Sequence, residues 1–275
     1  MTRKQLVEQV QLKKSYLTVG LDTDITKLPK HLQSHPDAVF EFNKAIIDAT
    51  HDLCVSYKIN TAFYESQGLK GWQAMEKTVN HIPKNILKIA DAKRGDIGNT
   101  SSQYAKAFFE ALDFDAITVA PYMGEDSIRP FLEYDNKWTI VLGLTSNAGS
   151  KDFEQLRMVG GDTNQGGGDF LYEQVLKKVS AWGNKDNLMF VVGATKASDL
   201  AGIRKIIPDN FLLVPGVGFQ GGSLEDVSKY GMTDDCGLLV NASRAIIFAS
   251  EKEDFATEAR LIAQQYQAEM SSYLK

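Results

Sequence analysis

Four charged residues follow one apolar run of the sequence, and together they could carry out acid–base chemistry. Residues 86–100 read ILKIADAKRGDIGNT, an apolar stretch that ends in Asp91, Lys93, Arg94 and Asp96. Carboxylates stabilise the charged form of a lysine between them, and such a lysine can donate a proton to a reacting atom. Charged residues are rarely placed in a core element unless they pair with each other or take part in a reaction.

The spacing of these residues predicts that they share one site. Side chains alternate across a strand, so Asp91 and Lys93 should both point inward while Ala92 faces the helices. Asp96, in the loop that follows, would bring a second carboxylate close to Lys93, and Lys58 could add a second ammonium from an earlier run. A single buried ion pair is ordinary structure. A set of four alternating charges could be replaced by apolar residues at little loss of stability, so it indicates function.

The elements that would position these charges alternate along the chain. Eight short apolar runs rich in β-branched residues lie at 16–22, 54–60, 86–92, 115–120, 138–145, 188–194, 211–217 and 237–243. Segments with helical periodicity lie at 38–53, 101–112, 169–182 and 224–230, with an amphipathic helix at the N-terminus and a last helix from about 251 to 273. Strands that alternate with helices predict a parallel sheet with the helices outside it.

The number and character of the strands predict an α/β fold of the (β/α)8 TIM barrel type. Continuous apolar runs indicate strands that are buried on both faces, and eight strand–helix units in 275 residues fit one barrel domain spanning residues 1–275. A doubly wound open sheet is the alternative, but its usual strand number, about five or six, leaves several runs unplaced. In a barrel the carboxyl ends of the strands form the active-site rim, which is where Asp22, Lys58, Asp91 and Lys93 fall.

Composition argues against several classes of partner. The formal net charge is −5, with no cluster of Lys and Arg, so we expect no nucleic-acid partner. No apolar run approaches the ~18 residues of a membrane span and the N-terminus lacks a signal sequence, so we expect a cytoplasmic protein with no membrane contact. Cys54 and Cys236 are far apart and each lies beside apolar residues, which predicts buried free thiols. The histidines are not at strand ends, so we expect no metal site.

A glycine-rich segment follows the seventh predicted strand. PGVGFQGG, residues 215–222, contains a GxGxxG pattern in Gly216, Gly218 and Gly221, which in other contexts marks a dinucleotide turn. That turn normally follows the first strand, whereas in a barrel the loops after strands seven and eight are the usual phosphate site. Gln220 and, at the end of the eighth strand, Arg244 could complete a phosphate site.

The connection at 146–169, SNAGSKDFEQLRMVGGDTNQGGGD, is long and rich in glycine and polar residues. Loops of this length are uncommon in compact domains and often have a function. We interpret it as a mobile lid or as simple disorder.

The motifs together resemble a known family. DAKRGDIGNTS matches the signature Asp-x-Lys-x-x-Asp-Ile-x-x-Thr of the orotidine 5'-phosphate decarboxylases. The remaining similar stretches appear in the family's order: VGLDTD, YKINTAFYE, LTSNAGS, VPGVGFQGG and NASRAI. The likeness runs through most of the chain and is closest to the longer bacterial branch, the type 2 subfamily.

The resemblance implies a reaction and residue roles. It implies decarboxylation of orotidine 5'-monophosphate to uridine 5'-monophosphate, the last step of pyrimidine nucleotide synthesis, with no metal or organic cofactor. Lys93 would protonate C6 of the pyrimidine, with Asp91 and Asp96 beside it and Lys58 completing the charge array. The implied substrate contacts are Asp22 and Thr100 for the ribose, Ser146 for the pyrimidine, and Gln220 and Arg244 for the phosphate. The resemblance also implies a homodimer in which Asp96 and Thr100 reach the partner's site, and it leaves Asn60, two residues beyond Lys58, without a role.

Two other functions remain open from the sequence. Sugar-phosphate lyases and decarboxylases share this barrel and an acid-x-Lys-x-x-Asp motif but use Mg²⁺, which an acid of strand one and the acid of strand three could hold. The chain could also be a silent module that binds a nucleotide phosphate. The full DAKRGDIGNT stretch disfavours the first, and the set of Asp91, Lys93, Asp96 and Lys58 disfavours the second, because binding a phosphate requires none of them.

Overall fold

Eight parallel strands form a closed barrel in which each strand pairs with its neighbours in chain order and β8 pairs with β1. The structure is a computed structural model that describes residues 1–158, 168–193, 197–217 and 223–274. The strands are β1 Leu17–Gly20, β2 Ser56–Asn60, β3 Leu87–Arg94, β4 Ala116–Val119, β5 Trp138–Leu144, β6 Leu188–Val192, β7 Leu212–Pro215 and β8 Leu238–Ala242. Every predicted strand is confirmed, and so is the barrel.

Helices surround the barrel and follow its strands. They are α1 Arg3–Lys13, α2 Lys30–Gln33, α3 Ala38–Thr50, α4 Ala62–Glu65, α5 Leu69–His81, α6 Gly98–Lys106, α7 Glu125–Leu132, α8 Leu171–Ser180, α9 Ala197–Ile206, α10 Leu224–Gly231, α11 Arg244–Ile247 and α12 Phe255–Tyr273. Short 3-10 helices span Ile25–Lys27 and Ala148–Asp152, and a π-helical turn spans Ala107–Ala111. No helix among these residues is long and apolar enough to cross a bilayer.

The predicted helices are confirmed, with shifted ends. The helix predicted at 101–112 begins earlier, at Gly98, because Ile97 takes the extended conformation of an N-cap and its carbonyl accepts hydrogen bonds from Thr100 and Ser101. The helix predicted at 251–273 begins only at Phe255. Such shifts are usual where a sequence pattern, rather than cap geometry, sets the boundary.

The N-terminal segment covers the barrel face opposite the charged strand ends. Leu6 and Val10 of α1 are fully buried. The Arg3 guanidinium donates to Lys185 O and Asp209 O, which lie just before β6 and β7, and to the Asp235 carboxylate, which lies just before β8. One side chain therefore links the segments that lead into β6, β7 and β8. The opposite face, at the carboxyl ends of the strands, is left as the accessible end of the barrel.

Both cysteines are buried and free, as predicted. Burial raises the pKa of the Cys54 thiol to about 11 and that of the Cys236 thiol to about 12. They therefore behave as small apolar groups of the core.

Candidate active site

Four alternating charges line up at the carboxyl ends of β1, β2 and β3. Lys58 Nζ lies 3.4 Å from Asp22 Oδ1 and 2.9 Å from Asp91 Oδ2. Lys93 Nζ lies 2.6 Å from the other oxygen of the same carboxylate, Asp91 Oδ1. The prediction that Asp91 and Lys93 share one site with Lys58 is confirmed, and Asp22 is the second acid of the row.

Burial differs along this row. Lys58 is 4% exposed, and the Asp91 side chain is 11% exposed, whereas the Lys93 side chain is 52% exposed. Burial alone would lower the pKa of Lys58, but Asp91 and Asp22 more than offset it and raise that pKa. Burial alone would raise the pKa of Asp91, but Lys58 and Lys93 outweigh it and lower that pKa strongly. Lys58 and Asp91 are thus an ionised pair, and the Lys93 ammonium lies on the solvent-accessible side.

A bulge in β3, rather than strict alternation, brings Asp91 and Lys93 to one site. Ala90 pairs with Ile117 of β4 but Arg94 pairs with Val119, so four steps along β3 span two steps along β4. Lys93 takes a left-handed backbone conformation with φ of 48°, which costs a non-glycine residue about 1–2 kcal/mol. Such strain is common where a side chain must be aimed at a functional site.

Arg94 holds the outer side of the bulge. Its guanidinium pairs with the Glu65 carboxylate of α4 and donates to Ala92 O at 2.9 Å. It also lies 5.4 Å from the ring centroids of Tyr104 and Phe108. This structural role of Arg94 was not predicted from the sequence, although Arg94 directly follows Lys93.

A buried polar network holds the backbone on both sides of Asp22. The Asn43 Oδ1 atom accepts from Thr23 Oγ1 at 2.5 Å, and its Nδ2 donates to the Tyr64 hydroxyl at 2.9 Å. Tyr64 in turn donates to Leu21 O at 3.0 Å. Leu21 and Thr23 flank Asp22, so α3 and α4 fix the loop that carries this carboxylate. Sequence reasoning missed the network, since its members are scattered along the chain.

A cavity of about 340 Å³ opens beside the charged row. Its walls include the four charged residues, the predicted contacts Ser146 and Arg244, and the apolar side chains of Leu142, Val191 and Leu213. Asn60 also lines the cavity, and its Oδ1 accepts from Ala62 N–H at the start of α4. Gly216, which follows β7, also lines the cavity. Its φ is 82°, a conformation that glycine adopts without strain. The lining thus combines a row of charges, a group of apolar side chains and an arginine.

Two of the predicted site residues are not at this cavity, and a third lies outside the described residues. No ion pair links Asp96 to Lys93 within the described part of one chain, and neither Asp96 nor Thr100 lines the cavity. The Asp96 carboxylate instead accepts the N–H of Ile97 at 2.8 Å, because the chain turns there into α6. Gln220 falls in 218–222, outside the described residues, together with two glycines of the GxGxxG pattern.

The described ends of the 146–169 connection are anchored to the barrel and to each other. The Glu154 carboxylate accepts from the backbone N–H of Thr145 at 2.7 Å and from its hydroxyl at 2.8 Å. Met158 N–H donates to Asp169 O, and Leu171 N–H donates to Leu156 O, each at 2.8 Å. Residues 153–158 and 168–171 therefore pair with each other. The prediction of a lid or of disorder for 146–169 stays untested in 159–167, which lies outside the described residues.

Comparison with known proteins identifies the family of this barrel. The orotidine 5'-phosphate decarboxylase of Flavobacterium johnsoniae is 60% identical over 277 residues, which cover 100% of this chain and 98% of that protein. The solved structure of Leishmania donovani OMP decarboxylase is 34% identical, with a TM-score of 0.78 and coverage of 98% of this chain and 99% of that one. Leishmania donovani UMP synthase is 36% identical with a TM-score of 0.78, and this chain covers 56% of that longer protein. Residues 15–259, which contain the whole charged row, match the family directly, and the chain belongs to the Orotidine 5'-phosphate decarboxylase / HUMPS family.

Proposed function

We propose that this protein decarboxylates orotidine 5'-monophosphate to uridine 5'-monophosphate and CO2 in pyrimidine nucleotide synthesis. The observation that carries the proposal is the row of alternating charges, Asp22, Lys58, Asp91 and Lys93, along one wall of the cavity. The name of the Flavobacterium johnsoniae relative, which aligns over the whole chain, supports it.

The chemistry requires one proton and a place for negative charge. The bond between C6 of the pyrimidine and its carboxyl carbon breaks, CO2 leaves, and the electron pair stays on C6. Lys93 transfers a proton from Nζ to C6, which forms the new C–H bond and leaves the amine neutral. Solvent returns the proton to Lys93, whose side chain is half-exposed. Lys58 and Asp91 are held by their neighbours, so the charges need little reorganisation as the carbanion forms.

The remaining walls fit the rest of such a substrate. Leu142, Val191 and Leu213 offer an apolar surface beside the reacting charges, which lowers the local dielectric constant and strengthens the electrostatic interactions. Arg244, just after β8, supplies a planar donor for the phosphate dianion, and Gly216 lines the same cavity. In this proposal Asp22 contacts the ribose, Ser146 the pyrimidine, and Gln220 the phosphate.

The two alternatives fit the charged row less well. A Mg²⁺-dependent lyase would use the carboxylates of Asp22 and Asp91 as ligands, but the Lys58 ammonium lies between them and binds both. Among the described residues no group of three or more His, Cys, Asp and Glu side chains is arranged to hold a metal. A silent phosphate-binding module would need Arg244 but not a strained Lys93.

We also propose that the protein is a homodimer in which Asp96 and Thr100 complete the partner's site. Both residues lie near the rim yet line no part of their own cavity. Nearby on the rim, Ile97, Tyr122 and Met123 expose apolar side chains, and Tyr122 is 88% exposed. Exposed apolar patches of this kind mark interaction sites. We further propose that residues 1–275 are one domain, because the eight strands close into one barrel. We also propose that the protein is cytoplasmic, because both cysteines are free thiols.

The first test is the ultraviolet absorbance of orotidine 5'-monophosphate incubated with the purified protein in EDTA. We expect the wild-type protein to remove the orotate chromophore and Lys93→Ala to leave it intact while still binding uridine 5'-monophosphate. Turnover that depends on added Mg²⁺ would support the lyase, and equal nucleotide binding without turnover in both proteins would support the silent module.

A mixing experiment tests the dimer. Lys93→Ala and Asp96→Asn are each expected to be inactive alone. If Asp96 serves the partner's site, a mixed dimer has one site with both native residues, so re-equilibrated equal mixtures should recover about a quarter of the wild-type activity. If Asp96 serves its own site, every site in the mixture lacks one residue and no activity returns.

A further inference from the structure

Thr118 of β4 lies opposite the bulge that carries the proton donor. In the register between β3 and β4, Ala90 pairs with Ile117 and Arg94 with Val119, so Thr118 faces the whole segment 91–93. Its side chain is fully buried. The residue is therefore enclosed in the barrel wall directly behind the charged row.

The Thr118 hydroxyl makes two hydrogen bonds, and both go to the proposed catalytic residues. It accepts from the backbone N–H of Lys93 at 3.0 Å and donates to Asp91 Oδ1 at 3.1 Å. The same Asp91 oxygen accepts from Lys93 Nζ at 2.6 Å. These bonds close a ring that runs from the Lys93 backbone through Thr118 and Asp91 and back to the Lys93 ammonium.

The ring fixes the plane of the Asp91 carboxylate and the backbone of Lys93. Lys58 of β2 binds Asp91 Oδ2 and Thr118 of β4 binds Oδ1, so one donor from each neighbouring strand sets the plane of the carboxylate. The bond to the Lys93 N–H lies at the residue with the left-handed backbone, and on the far side Arg94 O accepts from Ala120 N–H at 2.8 Å. The half-exposed Lys93 side chain is thus aimed by its carboxylate partner and its own backbone.

We propose that Thr118 is a positioning residue for proton transfer: its hydroxyl holds the Asp91 carboxylate and the Lys93 backbone in the geometry that presents the Lys93 ammonium to the substrate. The inference rests on the proposed decarboxylation and adds a residue to it. Threonine is common in strands for packing reasons, and this chain contains the matching control. Thr139, on the neighbouring strand β5, is also buried, but its hydroxyl has no hydrogen-bond partner among the described residues.

The test compares Thr118→Val, Thr118→Ser and Thr139→Val with the wild type. Valine keeps the shape and removes the hydroxyl, whereas serine keeps the hydroxyl and removes the methyl group. A displacement of the reacting group by about 1 Å can cost about 100-fold, so we expect Thr118→Val to lose roughly 30- to 100-fold in kcat. KM should stay within about threefold, because the phosphate and ribose contacts lie on other strands. Thr118→Ser should retain kcat within about threefold, and Thr139→Val should match the wild type.

A second measurement reports on the hydrogen bond without turnover. Hydrogen exchange of the Lys93 backbone amide should be faster in Thr118→Val, because that N–H loses its acceptor, and unchanged in Thr139→Val. Equal losses of kcat in Thr118→Val and Thr118→Ser, or a kcat of Thr118→Val within threefold of wild type, would overturn the positioning role. A wild-type protein without turnover would overturn the proposed function and the role with it, whereas the exchange data would still decide whether the bond forms.

Discussion

Replacing Lys58 by methionine removes the charge between Asp22 and Asp91 and keeps a side chain of similar length. Lys58 Nζ lies 2.9 Å from one carboxylate and 3.4 Å from the other. At an effective dielectric constant of about 20, the attraction is about 6 kcal/mol at the shorter distance and about 5 kcal/mol at the longer. Desolvation of the ammonium offsets much of this, and breaking a buried pair from one side costs about 3–5 kcal/mol. We therefore expect Lys58→Met to lower the free energy of unfolding at neutral pH by about 3 kcal/mol.

The assay is urea unfolding of four proteins, with a control from the same barrel. Lys88 of β3 is also buried, but its partner Asp113 has a side chain that is 68% exposed and can be rehydrated. Lys88→Met should therefore cost no more than about 1 kcal/mol. The double variant Lys58→Met/Asp91→Asn also removes the buried carboxylate charge that has lost Lys58, so it should regain about 1–3 kcal/mol relative to Lys58→Met. Activity should be lost in both proteins that lack Lys58, since the array is broken in each.

The difference between Lys58→Met and wild type should also depend on pH. The pKa of Asp91 is lowered in the folded protein, chiefly because Lys58 and Lys93 outweigh its burial. Its ionised form therefore contributes stability above the pKa of about 3.9 that an aspartate has in the unfolded chain, and this contribution is lost as the pH falls further. The destabilisation by Lys58→Met should be largest at neutral pH and shrink below about pH 4.

Two results would refute this reasoning. One is a Lys58→Met protein that unfolds within about 1 kcal/mol of wild type at neutral pH, like the Lys88→Met control. The other is a double variant no more stable than Lys58→Met, since the loss would then come from packing rather than from a buried carboxylate that has lost Lys58.

Three further predictions concern the scaffold. Tyr64→Phe removes the bond to Leu21 O and loosens the loop of Asp22, so we expect a KM increase of about 3- to 10-fold. The Tyr57 hydroxyl contacts Thr50, Ile47 O and the Cys54 side chain rather than the Asp22 loop, so Tyr57→Phe should lower stability but leave steady-state kinetics unchanged. Gly71→Ala should destabilise by more than about 1–3 kcal/mol in thermal unfolding, because its Cβ would lie 1.8 Å from Tyr64 O; a wild-type melting temperature would contradict the close packing of α4 and α5. The pKa of Cys54 is raised by burial from 9.0 to about 11, so its contribution to stability is present below pH 9 and is lost as the pH rises towards 11. Wild type should therefore lose about 2–3 kcal/mol more than Cys54→Ala over that interval, and parallel pH profiles would contradict this.

The strands and the charged strand ends are predictable because they depend on local patterns. Most strand residues are buried, so the strands are largely apolar, and Leu188–Val192 is an entirely apolar run. Asp22, Lys58, Asp91 and Lys93 stand out because they lie at or near the carboxyl ends of their strands, which in a parallel barrel all meet on one face. The helix ends were less predictable, since the start at Gly98 depends on the backbone of Ile97.

The fine geometry of the site depends on contacts between strands. Side-chain alternation along β3 correctly predicts that Asp91 and Lys93 share a site. It does not predict the bulge or the left-handed backbone of Lys93, which bring the two side chains together. The turn that leads into α6 directs the Asp96 carboxylate to the backbone N–H of Ile97 rather than to Lys93. No sequence pattern indicates which threonine of β4 or β5 finds partners for its hydroxyl, and only Thr118 of the pair Thr118 and Thr139 does so among the described residues.

The sequence by itself therefore determined the (β/α)8 fold, the family and the identity of the charged residues. The reason is that strand burial and strand order appear directly in the order of apolar and charged residues along the chain. Only the tertiary structure decided the distances within the charged row, the Asn43 network behind Asp22 and the ring through Thr118. These depend on the register between strands that lie far apart in the chain, and register is set by the packing of the whole barrel.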